Sequence, residues 1–179
     1  LADDGPGRAD DRIAEFFRVC FPEMAGVVSG VSLFDRSKPR TLMDSFVELL
    51  RGFLNGRNPK GCTGQEIADL VAGEMDILPE SYRRFLHAAG NGVDDFLPGS
   101  DFTVSDLEGS RDAENEILSG SGLPFFPSDA FVFSMHQGYQ FYFIHHGSVY
   151  YFLDGNEAVE KRFDSFDQFF RSVISEIEG

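Results

Sequence analysis

The chain has 179 residues, 42% hydrophobic and 25% charged, with 20 Phe, 5 Tyr and no Trp, enough for one domain with an extension and a large aromatic core. Its net charge of −15 lies in residues 62–179, which hold 21 acids against six Lys/Arg, whereas residues 1–61 balance at nine each. That asymmetry speaks against nucleic acid and anionic membrane surfaces as partners and favours a basic protein surface, although a solvated, solubilising face is the plainer use of the same charge.

From the N-terminus, residues 1–8 read as a loose tail. Leu1-Ala2-Asp3-Asp4-Gly5 is too polar for a secretory signal. No apolar run approaches the roughly 20 residues that span a bilayer, so a cytoplasmic location is expected. Met43 offers an internal start. Ile13, Phe16, Phe17 and Cys20 recur at helical spacing. Residues 27–34 are short and β-branched, compatible with a strand. Leu42, Phe46, Leu49, Leu50 and Phe53 predict a helix over about 42–54. The turn-rich run Asn55 to Gly61 then separates a mostly helical extension, 1–61, from a domain over 62–179. Cys20 and Cys62 form no CxxC pair, so two reduced thiols are expected, a disulfide being the alternative.

Thr63-Gly64-Gln65-Glu66 is a capping box opening a helix that buries Ile67, Leu70 and Val71. Pro79 suits the first position of the next helix, with the stripe Tyr82, Phe85, Leu86 and Ala89. Gly90-Asn91-Gly92 ends it with residues that tolerate positive φ. Ser105-Asp106-Leu107-Glu108 reads as a second capping box for a helix reaching Leu118, followed by the flexible Ser119-Gly120-Ser121-Gly122. Leu123-Pro124-Phe125-Phe126-Pro127 leads into strands over about 130–135, 139–145 and 149–153, with a fourth over 158–163. The tight connections predict an antiparallel meander. Ser165 caps a last helix carrying Phe166, Phe169, Phe170, Val173, Ile174 and Ile177. Helices, meander and helix in that order predict an α+β fold.

Three blocks resemble the SUKH superfamily, which includes fungal cell-wall-synthesis regulators and bacterial immunity proteins. They are Leu78-Pro79-Glu80-Ser81-Tyr82-Arg83-Arg84-Phe85-Leu86 closed by Gly90-Asn91-Gly92, the run Phe131 to Phe141, and Asp164-Ser165-Phe166-Asp167-Gln168-Phe169-Phe170. The resemblance covers about 62–179, and residues 1–61 resemble nothing familiar. It implies helices packed on a small, mainly antiparallel sheet. It also implies a protein that binds and neutralises a cognate secreted toxin, for example a nuclease, or a non-catalytic scaffold that binds a cellular protein. No common catalytic residues come with it. The missing Trp departs from relatives that place one in the sheet.

The residues themselves point the same way. There is no GxSxG, phosphate-loop or HExxH motif, so no catalytic residue and no cofactor is assigned; a carboxylate dyad stays open on composition alone. His136, His145 and His146 cluster in the sheet region. Neighbours on a strand face opposite ways, so no metal site is assigned to His145 and His146. His136 is expected to serve its turn by bonding nearby backbone. Residues 94–129 hold nine acids and one Arg. Asp94, Asp95, Asp101, Asp106, Glu108, Asp112, Glu114 and Glu116 are therefore the candidate face for a basic toxin or other basic protein. Tyr139, Tyr150 and Tyr151 are candidate aromatic anchors.

Overall fold

Capping residues and apolar spacing mark most of the elements locally. The computed structural model describes residues 42–72, 75–108, 127, 129–156 and 158–179. The expected helix around Ile13–Cys20, the strand over 27–34, Cys20, the linker 119–122 and the lead-in 123–126 lie outside the described residues. The chain divides into two compact units, Leu1–Asn58 and Pro59–Gly179. In the first, helix α1 spans Leu42–Leu54 and buries Phe46, Leu50, Phe53 and Leu54. Beyond its end, the Arg57 guanidinium lies 4.3 Å from the Phe53 ring centre and donates to the Phe53 carbonyl, satisfying an orphan acceptor of the last turn.

The second unit opens with α2 (Gly64–Leu70), whose capping box is complete: Thr63 Oγ1 accepts from Glu66 N–H, and Glu66 Oε2 accepts from Thr63 N–H. A 3₁₀ turn (Met75–Ile77) leads to α3 (Glu80–Ala89). Pro79 is the N-cap of α3 and Glu80 its first residue, one position later than the sequence suggests. The end of α3 also differs. Gly92 takes positive φ (123°), but Gly90 is right-handed. A Cβ on Gly90 would meet Cys62 Sγ at 2.5 Å, so it is glycine to let the 60–62 segment approach. That segment runs along the helix end, with Cys62 N–H donating to Leu86 O (3.0 Å) and Lys60 N–H to Gly92 O (2.7 Å).

The sheet has five strands in the order β1-β2-β3-β4-β5, every pair antiparallel. They are β1 (Ser100–Asp101), β2 (Phe131–His136), β3 (Gln140–His145), β4 (Ser148–Leu153) and β5 (Glu160–Phe163). Between β1 and β2, residues 104–108 are helical; the expected continuation to Leu118 lies outside the described residues. The cap there is Thr103, not Ser105: Asp106 N–H donates to Thr103 Oγ1, and Asp106 Oδ2 accepts from Thr103 N–H. Helix α4 (Phe166–Glu178) follows β5, capped by Ser165 through Gln168 N–H at 3.3 Å.

Phe131 and Phe133, two residues apart on β2, both face the helices, and an irregularity between Val132 and Ser134 lets Val132 and Met135 share the other face. Tyr82 of α3 meets Phe131, Phe133 and α4's Phe166 at ring-centre distances of 5.8, 5.6 and 4.8 Å. Phe169 of α4 lies 5.0 Å from Phe133 and 5.1 Å from Tyr142. On the other sheet face Val132, Met135, Phe141, Phe143 and Phe152 form a second buried cluster. The result is α+β, helices against an antiparallel meander.

Candidate protein-binding site

Loop 93–99, β1, the β2–β3 turn and the β4–β5 turn converge at one end of the sheet. Ser100 lies opposite His136 and Asp101 opposite Met135, so the loop bearing Asp94 and Asp95 runs straight into the sheet edge. Asp95 (φ 65°) and Leu97 (φ 46°) both take left-handed backbone, costing about 1–2 kcal/mol for a residue such as Leu. Such strain concentrates at working loops. Alongside, Gln137 (φ 53°) and Gly138 (φ 74°) turn the chain sharply. Tyr139 is thereby thrust outward, 42% exposed, the one large exposed hydrophobic among the described residues. Its hydroxyl donates to Gln137 Oε1 at 2.8 Å. Its carbonyl accepts from Asp154 N–H at 2.7 Å, which brings the exposed Asp154 beside it.

A cleft of about 430 Å³ opens next to this turn, between Leu97, Pro98 and Ser100 on one side and Ser134, Gln140, Tyr142 and Tyr151 on the other. His136 Nδ1 shares a hydrogen bond with Ser100 Oγ at 3.1 Å. The imidazole therefore ties β1 to β2 and does not serve the turn backbone, because β1 lies within its reach. Tyr151 donates to Gln140 Oε1 at 2.7 Å, and the Arg162 guanidinium stacks 5.1 Å from the Tyr151 ring centre. Burial, then the neighbouring Tyr151, push the Tyr142 hydroxyl above its ordinary range, so it stays a neutral donor at physiological pH. The recess offers aromatic walls with polar tips, room for one or two side chains of a docked protein.

The structure sorts the candidate residues. Asp94, Asp95 and Asp101 are exposed at this end. Asp106 and Glu108 are exposed on the helical turn, but the Asp106 carboxylate caps that turn, accepting from Thr103 Oγ1 at 2.6 Å. Asp112, Glu114 and Glu116 lie outside the described residues. Tyr139 belongs to the convergent end. Tyr150 does not: it is half-buried and stacked on Phe143 at 5.2 Å on the second sheet face. Asp154 was missed because nothing local distinguishes it; only the pairing of β3 with β4 places it beside Tyr139.

The histidines correct a second expectation. His145 ends β3, but His146 is off the strand, at φ 49° with Gly147 at φ 77°, the two left-handed positions of a two-residue hairpin. Strand alternation therefore no longer separates the rings. His145 Nε2 lies 3.1 Å from Asp129 Oδ1 and His146 Nε2 3.2 Å from Asp129 Oδ2. The signal was present in the sequence as His-Gly between two alternating apolar runs.

Elsewhere, Cys62 is a free, buried thiol. Burial, followed by the nearby Glu66 charge, pushes its pKa up to about 12, which removes it as a nucleophile near neutrality. Among the described residues no helix is long and apolar enough to cross a membrane. The family model described as SMI1 / KNR4 family (SUKH-1) matches residues 61–172. No curated protein and no solved structure matches the chain.

Proposed function

The chain belongs to the SMI1 / KNR4 family (SUKH-1), and from that membership we propose that it is a non-catalytic binding protein that neutralises a cognate basic toxin, using the sheet end around Tyr139. The observation that carries this reading is the placement of Tyr139. An exposed aromatic is held on a tight turn whose flanking His136 and Gln140 line an aromatic cleft, with the Asp154 backbone bonded to its carbonyl and Asp101 paired to Met135 of the adjoining strand. Such a site divides the labour of recognition. The carboxylates attract and orient a cationic surface, and a rigid tyrosine with a neighbouring recess supplies the buried contact on which affinity depends. The immunity role is the one the superfamily resemblance implies for bacterial chains. A nuclease toxin fits the charge, since a surface built for phosphates would also receive aspartates.

The test is co-expression with the toxin domain encoded beside this gene, then calorimetry on the purified pair. Protection of the cells and a stoichiometric complex are expected. Tyr139→Ala should weaken binding at least tenfold, and Tyr150→Phe should leave it within twofold. Unprotected cells, with every neighbouring toxin fully active, would sink the proposal.

A further inference from the structure

At the opposite end of β3, about 20 Å along the strand from Tyr139, three metal-ligating side chains meet outside the site described above. Asp129 offers a carboxylate oxygen, and His145 and His146 each an imidazole nitrogen; the three atoms all lie within 4.8 Å of one another. We infer that Asp129, His145 and His146 form a binding site for a zinc-class divalent cation.

Geometry supports it first. Zinc–nitrogen and zinc–oxygen bonds of about 2.0–2.2 Å in a tetrahedral shell put ligand atoms roughly 3.3–3.5 Å apart. His145 lies 3.1 Å from Asp129 Oδ1 and His146 3.2 Å from Oδ2, and with one atom taken from each residue the three lie within 4.8 Å, so an ion requires the trio to shift by on the order of 1 Å. The scaffold is rigid. His145 is held in the β3–β4 ladder opposite Ser148, and His146 is aimed by a hairpin whose second position is Gly147. Phe131 pairs with Ile144, which projects Asp129 into register with His146. The two rings lie 4.0 Å apart between centres at 42°, converging on the carboxylate.

Chemistry selects the metal. Two imidazoles and one carboxylate suit zinc and its borderline neighbours, whereas calcium and magnesium call for an all-oxygen shell. An aspartate supplies the anionic ligand at neutral pH. Binding replaces the two N–H···O contacts with metal bonds, each ring presenting the Nε2 lone pair and holding its proton on Nδ1. Three protein ligands leave a fourth position for water. The ion would fasten the lead-in to β2 onto the β3–β4 hairpin.

Untagged full-length protein, stripped with EDTA, is titrated with Co²⁺ followed by its visible d–d bands, and with Zn²⁺ by calorimetry. One ion per chain at low-micromolar affinity is expected, with His145 and His146 imidazole resonances shifting and those of His87 and His136 unchanged. His146 is 75% exposed, so His146→Ala should retain the wild-type circular dichroism and lose at least tenfold in affinity. Asp129→Asn should do the same. Binding only at millimolar metal, or wild-type affinity in either variant, overturns the assignment.

Discussion

At Gly61 the backbone passes so close to α3 that the position admits no side chain. A Cβ there would fall onto the His87 carbonyl oxygen and within 3.0 Å of the His87 carbonyl carbon. Both are main-chain atoms in the middle of a hydrogen-bonded helix end, where Cys62 N–H reaches Leu86 O and Asn91 Nδ2 reaches Gly61 O. Neither partner can swing away as a side chain would. Gly61→Ala should destabilise the domain by about 2–3 kcal/mol, lowering the melting temperature by on the order of 5–10 °C. Gly64 is the control: nothing lies within 4 Å of its Cβ position, so Gly64→Ala should move the melting curve little. Thermal unfolding of the two variants side by side checks both. Sequence reading placed Gly61 in a boundary loop, where its demand was invisible, because the atom that forbids a methyl group lies 26 residues further along the chain.

At the scale of elements, local chemistry and the antiparallel meander were legible, and the pairing of β1 was not. The boundaries of α1 and the caps of α2 and α4 follow from side chains within a few residues of each other. The hairpins could be found from His136-Gln137-Gly138 and His146-Gly147. By contrast β1 is two residues long and exists only because β2 lies beside it, so no alternation announces it. The cleft and the Ser100–His136 bond depend on that strand and were missed with it. The α2 cap carries a pH prediction. Hydrogen bonds from the Thr63 hydroxyl and backbone, then from Asn91, hold the Glu66 carboxyl below its ordinary value. A depressed folded-state pKa gives stability that is present above the unfolded value, about 4.3, and lost as pH falls through the folded one. Wild type should therefore melt above Glu66→Gln at pH 7, and the gap should close as the pH is lowered through and below 4. Melting temperatures of the pair across pH 3–7 measure it.

For the molecule as a whole, the excess of acid over residues 62–179 bears on rates more than on affinity. Charges at a convergent, solvent-facing end act over about a Debye length, roughly 8–10 Å at physiological salt. They should speed encounter with a cationic partner while leaving dissociation to the buried contacts. Stopped-flow association with the toxin proposed as its partner should slow by at least tenfold between low and half-molar salt, with the dissociation rate nearly unchanged; a flat association rate would assign the acids to solvation alone. The two margins of the sheet matter on the same scale. One is the two-residue β1. The other, β5, shows Glu160, Lys161 and Arg162 to solvent, tied into Lys161–Asp164 and Arg162–Glu160 ion pairs. The charged β5 margin is a poor template on which a foreign chain could zip main chain to main chain. An edge so finished resists seeding fibres when many copies crowd together, and it leaves a visitor there to be gripped by side chains.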